Sequence, residues 1–363
     1  MSKSSTPLRA AVIGLGVGGA HLRGYQGAGV EISAICDANL ERLAEIGEKY
    51  SIPTDQRFSD YESMLAEVKP DLVSVALPNA MHAPVSIKAL EAGAHVLCEK
   101  PMAMNTAEAQ QMIQVAQKSQ RRLMICYNHR YRADLAWIRR MLEAGALGDI
   151  YHIEAHWRRE TGIPGWGWFG SREASGGGSL IDLGVHVLDM ALWLLDYPGV
   201  SSVSGSTRSA FGVRGQKVWG LPRWMSDKSV PFDVEDGGIG FIRLKNGASL
   251  HLEATWAEHR APKDDLIRLE IQGTEATAIL NIPNYTKDNT LTLYTAMAGA
   301  PVTVTPIVRW DGPWGHEGLI ADVAEAIRTG NPSPTPAEQG LLGVQIIEAI
   351  YASAHSGREV VFD

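Results

Sequence analysis

The sequence predicts an α/β fold with a doubly wound parallel sheet in the N-terminal part and a separate α+β part with an open, mainly antiparallel sheet. In the first third of the chain, short apolar runs alternate with helical patterns, which is the rhythm of βαβ units. From about Asp149 this rhythm is lost, and strand-like runs follow one another with turn residues between them. The predicted domains are therefore residues 1–128 and 129–363.

The composition limits the possible partners and compartment. A chain of 363 residues is long enough for two domains, and its net charge of −8 argues against nucleic acid or an anionic membrane as a partner. Three scattered cysteines (Cys36, Cys98 and Cys126) are too few for a disulfide framework or a zinc site, so we expect no metal. The polar start MSKSSTPLR predicts no secretory signal, and we expect no apolar run of membrane-spanning length. These features predict a cytoplasmic protein.

A glycine-rich turn follows the first apolar run, Leu8–Gly14, and precedes a helical pattern over Val17–Ala28. In the motif G-x-G-x-x-G, the first glycine permits the tight turn, the second admits a pyrophosphate, and the third allows close packing of helix on strand. The pyrophosphate then lies at the helix N-terminus. This context predicts a Rossmann dinucleotide-binding domain. The predicted cofactor contacts of the motif are Gly14, Gly16, Val17, Gly18 and Gly19.

An acidic residue, Asp37, ends the second predicted strand, Val30–Cys36. At about twenty residues beyond the glycines, a carboxylate accepts hydrogen bonds from the adenosine ribose and repels a 2′-phosphate. We therefore expect NAD as the cofactor. The nearby Arg42 keeps NADP open, because an arginine can accommodate that phosphate.

Further strand–helix alternation places polar residues along one rim of the sheet, because ligands bind beyond the carboxyl ends of parallel strands. The predicted strands are Leu72–Leu77, His95–Cys98 and Leu123–Cys126, with helices over Ala83–Ala92 and Thr106–Gln117. Lys100 is the candidate for hydrogen bonding to a substrate hydroxyl, although a surface lysine in a turn is the simpler interpretation. For His82 and His129 we favour a role in shaping the pocket. Several rim residues are also predicted to bind ligands: Leu77, Pro78, Asn79, His82, Glu99 and Lys100 the cofactor, and Lys100, Tyr127 and Asn128 the substrate.

The stretch Gly176–Asp196 is the candidate for proton transfer. Asp182 and His186 are spaced i, i+4, so their side chains would lie one above the other on a helix, behind a glycine run suited to close approach of backbone to a ligand. A carboxylate and an imidazole so placed can handle protons. A local surface pair is the alternative. The opposite face carries an apolar stripe at helical spacing, formed by Leu183, Val187, Met190 and Leu194.

A glycine- and tryptophan-rich loop, residues 162–178, follows a predicted strand over Ile150–Trp157. Its rings, Trp166, Trp168 and Phe169, either stack on a sugar or pack as a hydrophobic flap, and the sequence leaves both open. Three flanking arginines could bind an acid or phosphate group, although solvated surface charges are the favoured interpretation; they are Arg158, Arg159 and Arg172. The insertion Val218–Pro231 has no assigned role.

The C-terminal half contains a series of predicted strands and two closing helices, Glu317–Arg328 and Ala337–Ala354. One sheet face is expected to cover the helix of Asp182 and His186, and the other to join subunits into a homodimer or homotetramer. The last helix is expected to pack back onto the first domain. The predicted strands are Ser201–Phe211, Gly238–Leu244, Ser249–Thr255, Leu266–Gly273, Thr277–Ile282 and Leu291–Leu293.

The motifs GLGVGGAH, CEKPMAMN, GGGSLIDLGVHVLDMALWLLD and EAIYASAHSGREV, in this order, resemble those of the Gfo/Idh/MocA oxidoreductases. The resemblance spans essentially the whole chain. It implies that Lys100, Asp182 and His186 form the catalytic constellation and that the substrate is a sugar, sugar derivative or cyclitol. We expect a substrate site formed by these three residues with Tyr127, Asn128, Arg158, Trp166 and Trp168.

The resemblance also leaves other activities open. The family includes NAD-dependent glycosidases and lyase-like members that oxidise a sugar transiently, and regulators without turnover. Because the regulators typically lose the lysine of E-K-P or the Asp/His pair, while this chain keeps Lys100, Asp182 and His186, the sequence favours an enzyme. The predicted activity is hydride transfer between NAD(P) and a secondary alcohol or ketone.

Overall fold

The computed structural model describes residues 7–227, 229–260 and 265–362. Residues 1–6, which begin the segment predicted to carry no secretory signal, and Lys228 of the 218–231 insertion lie outside the described residues. The chain divides into two compact units. Unit 1 comprises residues 1–131 and 311–342, and unit 2 comprises residues 132–310 and 343–363.

The first part of unit 1 alternates strands and helices. Its elements are β1 (Arg9–Ile13), α1 (Gly18–Gly27), β2 (Glu31–Cys36), α2 (Leu40–Lys49), β3 (Arg57–Phe58), α3 (Tyr61–Val68), β4 (Leu72–Val75), α4 (His82–Glu91), β5 (His95–Cys98), α5 (Thr106–Lys118) and β6 (Leu123–Ile125). The helices α2 and α3 and the strand β3 were not predicted from the sequence. An N-cap residue begins each of the two helices. The side chain of Asn39 accepts a hydrogen bond from Arg42 N at the start of α2, and that of Asp60 accepts one from Ser63 N at the start of α3.

The six strands form one parallel sheet in the order β3-β2-β1-β4-β5-β6. This is the doubly wound order in which the ligand crevice lies where the strand order reverses, beside β1 and β4. The β4 strand is buried along its whole length, as expected for a strand covered on both faces. The predicted parallel Rossmann sheet is confirmed.

Unit 2 begins after Tyr131 with a helix, which is followed by the long strand β7 and by further strands and short helices. Its elements up to residue 310 are α6 (Ala133–Glu143), β7 (Ile150–Arg159), β8 (Ile163–Pro164), α7 (Arg172–Ser175), α8 (Val185–Leu194), β9 (Val200–Arg208), β10 (Val218–Trp219), α9 (Arg223–Ser226), β11 (Gly237–Leu244), β12 (Ser249–Thr255), β13 (Asp265–Gly273), β14 (Thr277–Pro283), β15 (Leu291–Met297) and β16 (Ala300–Val304). The chain closes with α10 (Gly315–Thr329), α11 (Ala337–Ser356) and β17 (Val360–Val361).

Nine strands of unit 2 form an open sheet in the order β16-β15-β14-β13-β7-β12-β11-β9-β17. The neighbours pair antiparallel except β7 and β12, which run parallel, with Ala155 opposite Leu252. The predicted open, mainly antiparallel sheet is confirmed. The α8 helix packs on β7, β12 and β13, so one face of the sheet is covered by the helix that carries His186.

The penultimate helix, α10, belongs to unit 1 and packs on α1. Gly24 permits this packing, because a Cβ on Gly24 would lie 2.6 Å from the Cδ1 atom of Ile320. Residues 337–342 of α11 also belong to unit 1, and residues 343–356 belong to unit 2. The predicted boundary between residues 128 and 129 remains a prediction.

One stretch of the described residues, Arg172–Leu194, is long and apolar enough to cross a membrane by length and composition, with a mean hydropathy of 1.2. No run of this length was expected from the sequence. However, 89% of the relevant window is buried inside the protein, so its apolar character is accounted for by core packing in unit 2.

Candidate active site

The glycine loop between β1 and α1 provides an open cradle for a dinucleotide. Gly14 adopts φ +88°, and a Cβ there would lie 2.2 Å from Ala76 O, so only glycine fits this turn. Among the described residues, apart from the chain neighbours and the adjacent backbone of α1, no heavy atom lies within 4 Å of where a Cβ would stand on Gly16 or Gly19. The backbone is thus accessible at the N-terminus of α1, where a pyrophosphate binds.

The structure corrects the role predicted for the last glycine of the motif. A Cβ on Gly18 would approach Val12 Cγ1 to 2.8 Å, whereas one on Gly19 would point into open space. Close packing of α1 on β1 therefore depends on Gly18. The spacing rule placed that role at Gly19, but the first turn of the helix directs the Gly18 position toward the strand.

Asp37 lies at the end of β2 beside this loop and is 9% exposed. Its Oδ2 atom accepts a hydrogen bond from Leu15 N at 2.8 Å, and its Oδ1 atom accepts one from Asn39 N at 2.8 Å. Arg42 lies 3.6 Å from the same carboxylate. The acid is therefore fixed against the glycine loop by backbone donors, and Arg42 pairs with it.

His82 connects two segments of the rim. Its Nδ1 atom lies 2.6 Å from Pro101 O, and its Nε2 atom lies 2.8 Å from Leu77 O. Burial lowers the pKa of His82, against the opposing effect of the two carbonyl oxygens. The contacts fit the pocket-shaping role favoured for this histidine, because they hold the segment after β4 next to the segment after β5. Asn79, at the start of a 3₁₀ turn over Asn79–Met81, is buried.

Lys100 directly follows Glu99 at the carboxyl end of β5 and precedes a cis peptide bond to Pro101. Its backbone N–H donates to Glu99 Oε2 at 3.2 Å. The other carboxylate oxygen of Glu99 lies 2.9 Å from His21 Nε2 and 3.2 Å from His316 Nε2. Burial raises the pKa of Glu99, but these two histidines outweigh it and hold the pKa well below its usual range.

Tyr127 and Asn128 follow β6 at the same sheet edge. Tyr127 is buried, and the guanidinium of Arg130 lies 4.9 Å from the centre of its ring. Asn128 begins a 3₁₀ turn over Asn128–Tyr131, and its Nδ2 atom lies 3.5 Å from His316 Nδ1. Within unit 1, the structure thus brings the predicted rim residues to the carboxyl ends of β4, β5 and β6.

In unit 2, Asp182 lies in a π-helical turn, Leu180–Gly184, which leads directly into α8. Asp182 accepts a hydrogen bond at 2.9 Å from the indole N–H of Trp256, the residue that follows β12. Single π turns inside helices are frequent at functional sites.

His186 lies in the first turn of α8 and is 8% exposed. The ring of Trp157 on β7 is 5.3 Å from its ring, centre to centre, at an angle of 44°. Trp157 is itself oriented by a 2.7 Å hydrogen bond to Asp265. The surface-pair alternative is therefore wrong for His186, because its helix is packed on the sheet and its ring is held against a tryptophan.

The glycine run before Asp182 approaches protein atoms. A Cβ on Gly177 would lie 2.1 Å from Tyr351 Oη, and one on Gly178 would lie 1.8 Å from Glu235 O. These glycines were expected to approach a ligand, but for Gly177 and Gly178 the close approach is to Tyr351 and Glu235. Tertiary packing supplied a contact that no local pattern contains.

Glu235 fixes the glycine run and the start of the π turn through hydrogen bonds. Its carboxylate accepts hydrogen bonds from Gly178 N at 2.9 Å, Leu180 N at 3.0 Å and Tyr351 Oη at 2.9 Å. Burial raises the pKa of Glu235, while the two backbone donors oppose that rise. The acid satisfies backbone N–H groups at the start of the π turn, as a cap does at a helix N-terminus.

The tryptophan loop and the 218–231 insertion pack together in unit 2. β8 of the loop pairs in parallel with β10 of the insertion, with Ile163 opposite Val218. Trp166 is half-exposed, and Trp168 stacks on Phe169 with ring centres 4.3 Å apart. The loop contains the short elements β8 and α7, and the insertion that the sequence could not place lies beside it.

Two of the three flanking arginines are paired with acids on the open sheet, and for the buried Arg159 the interpretation as a solvated charge is wrong. Arg159 is 7% exposed and lies 2.8 Å from both Asp265 Oδ2 and Tyr285 Oη. Arg158 lies 2.5 Å from Glu253. Arg172 is exposed, with its guanidinium 5.6 Å from the ring centre of Tyr351.

Fold and site together define a nucleotide-binding α/β protein of the oxidoreductase class. Residues 8–127 match the family model described as "Oxidoreductase family, NAD-binding Rossmann fold", and residues 135–279 match that of the "GFO/IDH/MocA C-terminal domain". The chain belongs to the Gfo/Idh/MocA family. The predicted family, the NAD-binding Rossmann domain and the oxidoreductase class are confirmed.

Curated relatives and solved structures agree with this membership. D-glucoside 3-dehydrogenase of Escherichia coli K12 is 34% identical over 98% of both chains. Levoglucosan dehydrogenase of Pseudarthrobacter phenanthrenivorans is 30% identical over 68% of this chain and 64% of its own. The structure of a levoglucosan dehydrogenase with NADH and levoglucosan superposes with a TM-score of 0.82 at 26% identity, covering 98% of this chain and 99% of that one.

Three residues with direct contacts to the predicted site segments were missed by sequence reasoning: Trp256, Glu235 and Tyr351. Each lies far along the chain from the residue it contacts. For Trp256, the sequence contained one signal. It directly follows the correctly predicted strand β12, and functional side chains are often found on the loops that follow such strands.

Proposed function

We propose that this protein is an NAD-dependent dehydrogenase that oxidises a secondary hydroxyl of a pyranoside or anhydro sugar. The observation that carries the proposal is the end-to-end similarity to D-glucoside 3-dehydrogenase, combined with the presence of Lys100, Asp182 and His186. The relatives whose names specify a glucoside or levoglucosan support a sugar ring as substrate.

The glycine loop of unit 1 fits the cofactor, because Gly16 and Gly19 leave open space above the N-terminus of α1. When bound there, NAD supplies the acceptor for the hydride of the substrate carbon. Asp37 would bind the adenosine ribose and disfavour a 2′-phosphate, which supports NAD over NADP.

We assign His186 the role of general base on the substrate hydroxyl, since a histidine is suited to proton transfer near neutral pH. Lys100 would hydrogen-bond the reacting oxygen and stabilise its developing negative charge. Asp182, fixed by Trp256, would orient the substrate. Trp166 and Trp168 support binding of a sugar face, and Tyr127 and Asn128 support recognition of its hydroxyls.

We further propose a cytoplasmic homodimer or homotetramer joined through the open sheet of unit 2. The outward face of this sheet carries exposed apolar residues, including Ile239, Phe241 and Tyr294. The three cysteines are buried and unbridged, which is consistent with a reducing compartment.

The test is absorbance of the reduced nicotinamide, with NAD and NADP in turn, across methyl glucosides, levoglucosan, free aldoses, sugar acids and inositols. We expect turnover with NAD and a sugar ring, and a loss of about 10²- to 10⁴-fold in kcat for His186→Asn. His355→Asn, at the exposed end of α11, is the matched control and should keep its activity. Tight NAD binding without net reduction by any alcohol would contradict the dehydrogenase and favour a glycosidase or lyase. Near-normal turnover of His186→Asn would overturn the base assignment.

A further inference from the structure

Unit 1 contains a cluster of four side chains whose chemistry the proposed reaction does not use. We call it the His/Glu/Cys cluster: His21, Glu99, Cys126 and His316. One potential ligand atom from each residue lies within 4.8 Å of all the others. The four residues come from α1, the carboxyl end of β5, the residue after β6, and α10, so they meet only in the folded unit.

The separations of these atoms are close to those of ligands around one small ion. Glu99 Oε1 lies 2.9 Å from His21 Nε2 and 3.2 Å from His316 Nε2, and Cys126 Sγ lies 3.9 Å from His21 Nε2. Tetrahedral zinc, with the usual bond lengths to nitrogen, oxygen and sulfur, separates its ligand atoms by roughly 3.3 to 3.6 Å. Small side-chain shifts would therefore convert the observed arrangement into a coordination shell.

The ring nitrogen on the far side of His21 also has a partner. His21 Nδ1 lies 2.8 Å from Ser74 Oγ, which in turn lies 2.6 Å from Tyr25 Oη. A metal-bound histidine characteristically uses its second nitrogen in this way, which fixes the ring and aims the first nitrogen at the ion.

Charge and access are also suitable. A divalent cation with one carboxylate, one thiolate and two neutral imidazoles has no net charge, so the complex avoids the cost of an unbalanced buried charge. Three of the ligands are buried, while the His316 side chain is 24% exposed and offers an entry for the ion. Two imidazoles, a thiolate and a carboxylate form a donor set suited to zinc.

We propose that His21, Glu99, Cys126 and His316 bind one divalent metal ion, zinc by preference, in a closed structural site within unit 1. Four protein ligands leave no position for substrate, so the ion would act structurally. It would tie α10 and α1 to the strand ends that carry Glu99 and the neighbouring Lys100. The sequence-based expectation of no metal site rested on cysteine spacing and did not consider a single cysteine joined by distant histidines.

The test is the metal content of the full chain, purified without chelator in reducing buffer, reconstituted with zinc and freed of excess metal. We expect about one equivalent of bound zinc, because all four ligands are present in the folded unit. Cobalt in place of zinc should give visible absorption of a tetrahedral site and a near-ultraviolet thiolate-to-cobalt band. Dipicolinate should lower the melting temperature of the zinc-loaded protein.

Cys126→Ser should lose the thiolate-to-cobalt band and bind zinc at least about tenfold more weakly, while Cys36→Ser, at another buried cysteine, should keep both. Circular dichroism checks that both variants fold. Wild-type protein that retains less than about a tenth of an equivalent of zinc and shows no cobalt spectrum would overturn the proposal, leaving a hydrogen-bonded cluster. An unchanged cobalt spectrum in folded Cys126→Ser would also overturn it. These readouts do not depend on the dehydrogenase activity.

Discussion

Trp256 donates its indole N–H to the carboxylate of Asp182 at 2.9 Å. The tryptophan follows β12 and is almost fully buried, while the aspartate lies in the π turn before α8. This hydrogen bond fixes the side chain of Asp182. From the sequence, helical spacing related that side chain only to His186. The position of Asp182 is therefore set by the sheet on which α8 packs.

Replacing Trp256 by phenylalanine should lower kcat/KM by about 10- to 100-fold, since a hydrogen bond to a charged group contributes about 1.5–3 kcal/mol. The measurement is steady-state kinetics with the best sugar from the panel. Trp193→Phe, on α8 with its ring centre 5.5 Å from the guanidinium of Arg139, is the control and should have little effect. A kcat/KM for Trp256→Phe that equals the wild-type value would show that the indole does not position Asp182.

Glu235→Gln should destabilise the protein by about 1–3 kcal/mol, because an amide offers one acceptor oxygen where three donors meet and turns an N–H₂ group toward backbone N–H. Urea unfolding at neutral pH measures the change. Glu173→Gln, at an exposed position of α7, is the control and should leave the unfolding midpoint unchanged. Equal midpoints for both variants would refute the capping role.

The two middle glycines of the loop should respond differently to alanine. Gly18→Ala should lower stability by about 1–3 kcal/mol because its Cβ would overlap Val12 Cγ1, which is 2.8 Å away. Gly16→Ala should leave the stability of the free protein nearly unchanged but weaken NAD binding by at least about tenfold, because its methyl group would occupy the open cradle. Thermal unfolding and calorimetric titration with NAD separate the two effects. The reverse pattern would invalidate the cradle assignment.

Asp37→Asn should raise the NADP/NAD ratio of kcat/KM by about 10- to 100-fold, because it removes the charge that repels a 2′-phosphate and releases Arg42 from its 3.6 Å ion pair. The asparagine keeps an acceptor for the backbone of the loop. Adding Arg42→Ala to Asp37→Asn should reverse most of the rise in the NADP/NAD ratio. Asp55→Asn, on an exposed turn, is the control and should leave that ratio unchanged. An unchanged ratio in Asp37→Asn would show that another group selects the cofactor.

Stability should fall in mild acid because of His156 on β7. Burial, with Arg158 and then His251, Arg268 and His152, lowers the pKa of His156 to about 3. Between that value and its ordinary pKa near 6.5, the unfolded chain binds a proton that the folded chain does not. The contribution of neutral, buried His156 to the free energy of unfolding is therefore fully present above pH ~6.5, and it falls as the pH is lowered toward 3.

His156→Gln should reduce that loss, so its urea midpoint should fall less than that of the wild type between neutral pH and pH ~5. His355→Gln, on the exposed last turn of α11, serves as the comparison and should follow the wild type. Parallel pH dependences for His156→Gln and wild type would show that other groups dominate the acid response.

Local patterns were sufficient for most of the fold. The glycine motif and the apolar runs of β1, β2, β4 and β5 predicted the parallel sheet, and the strand β12 was predicted with its observed bounds. The short strands β3, β8, β10 and β17 were not predicted, because two residues carry no periodicity. The parallel pairing of β7 with β12 was not predicted either, since it joins segments about ninety residues apart.

The sequence by itself determined the family, the dinucleotide-binding loop and the identity of the candidate catalytic residues, because short-range spacing of glycine, lysine, aspartate and histidine encodes them. Only the tertiary structure decided what surrounds them. Trp256 reaches Asp182, Glu235 and Tyr351 explain the glycine run, and His316 joins Glu99 through contacts between residues far apart in the chain. Such contacts depend on how helices and strands pack, and packing leaves no fixed spacing in a single sequence.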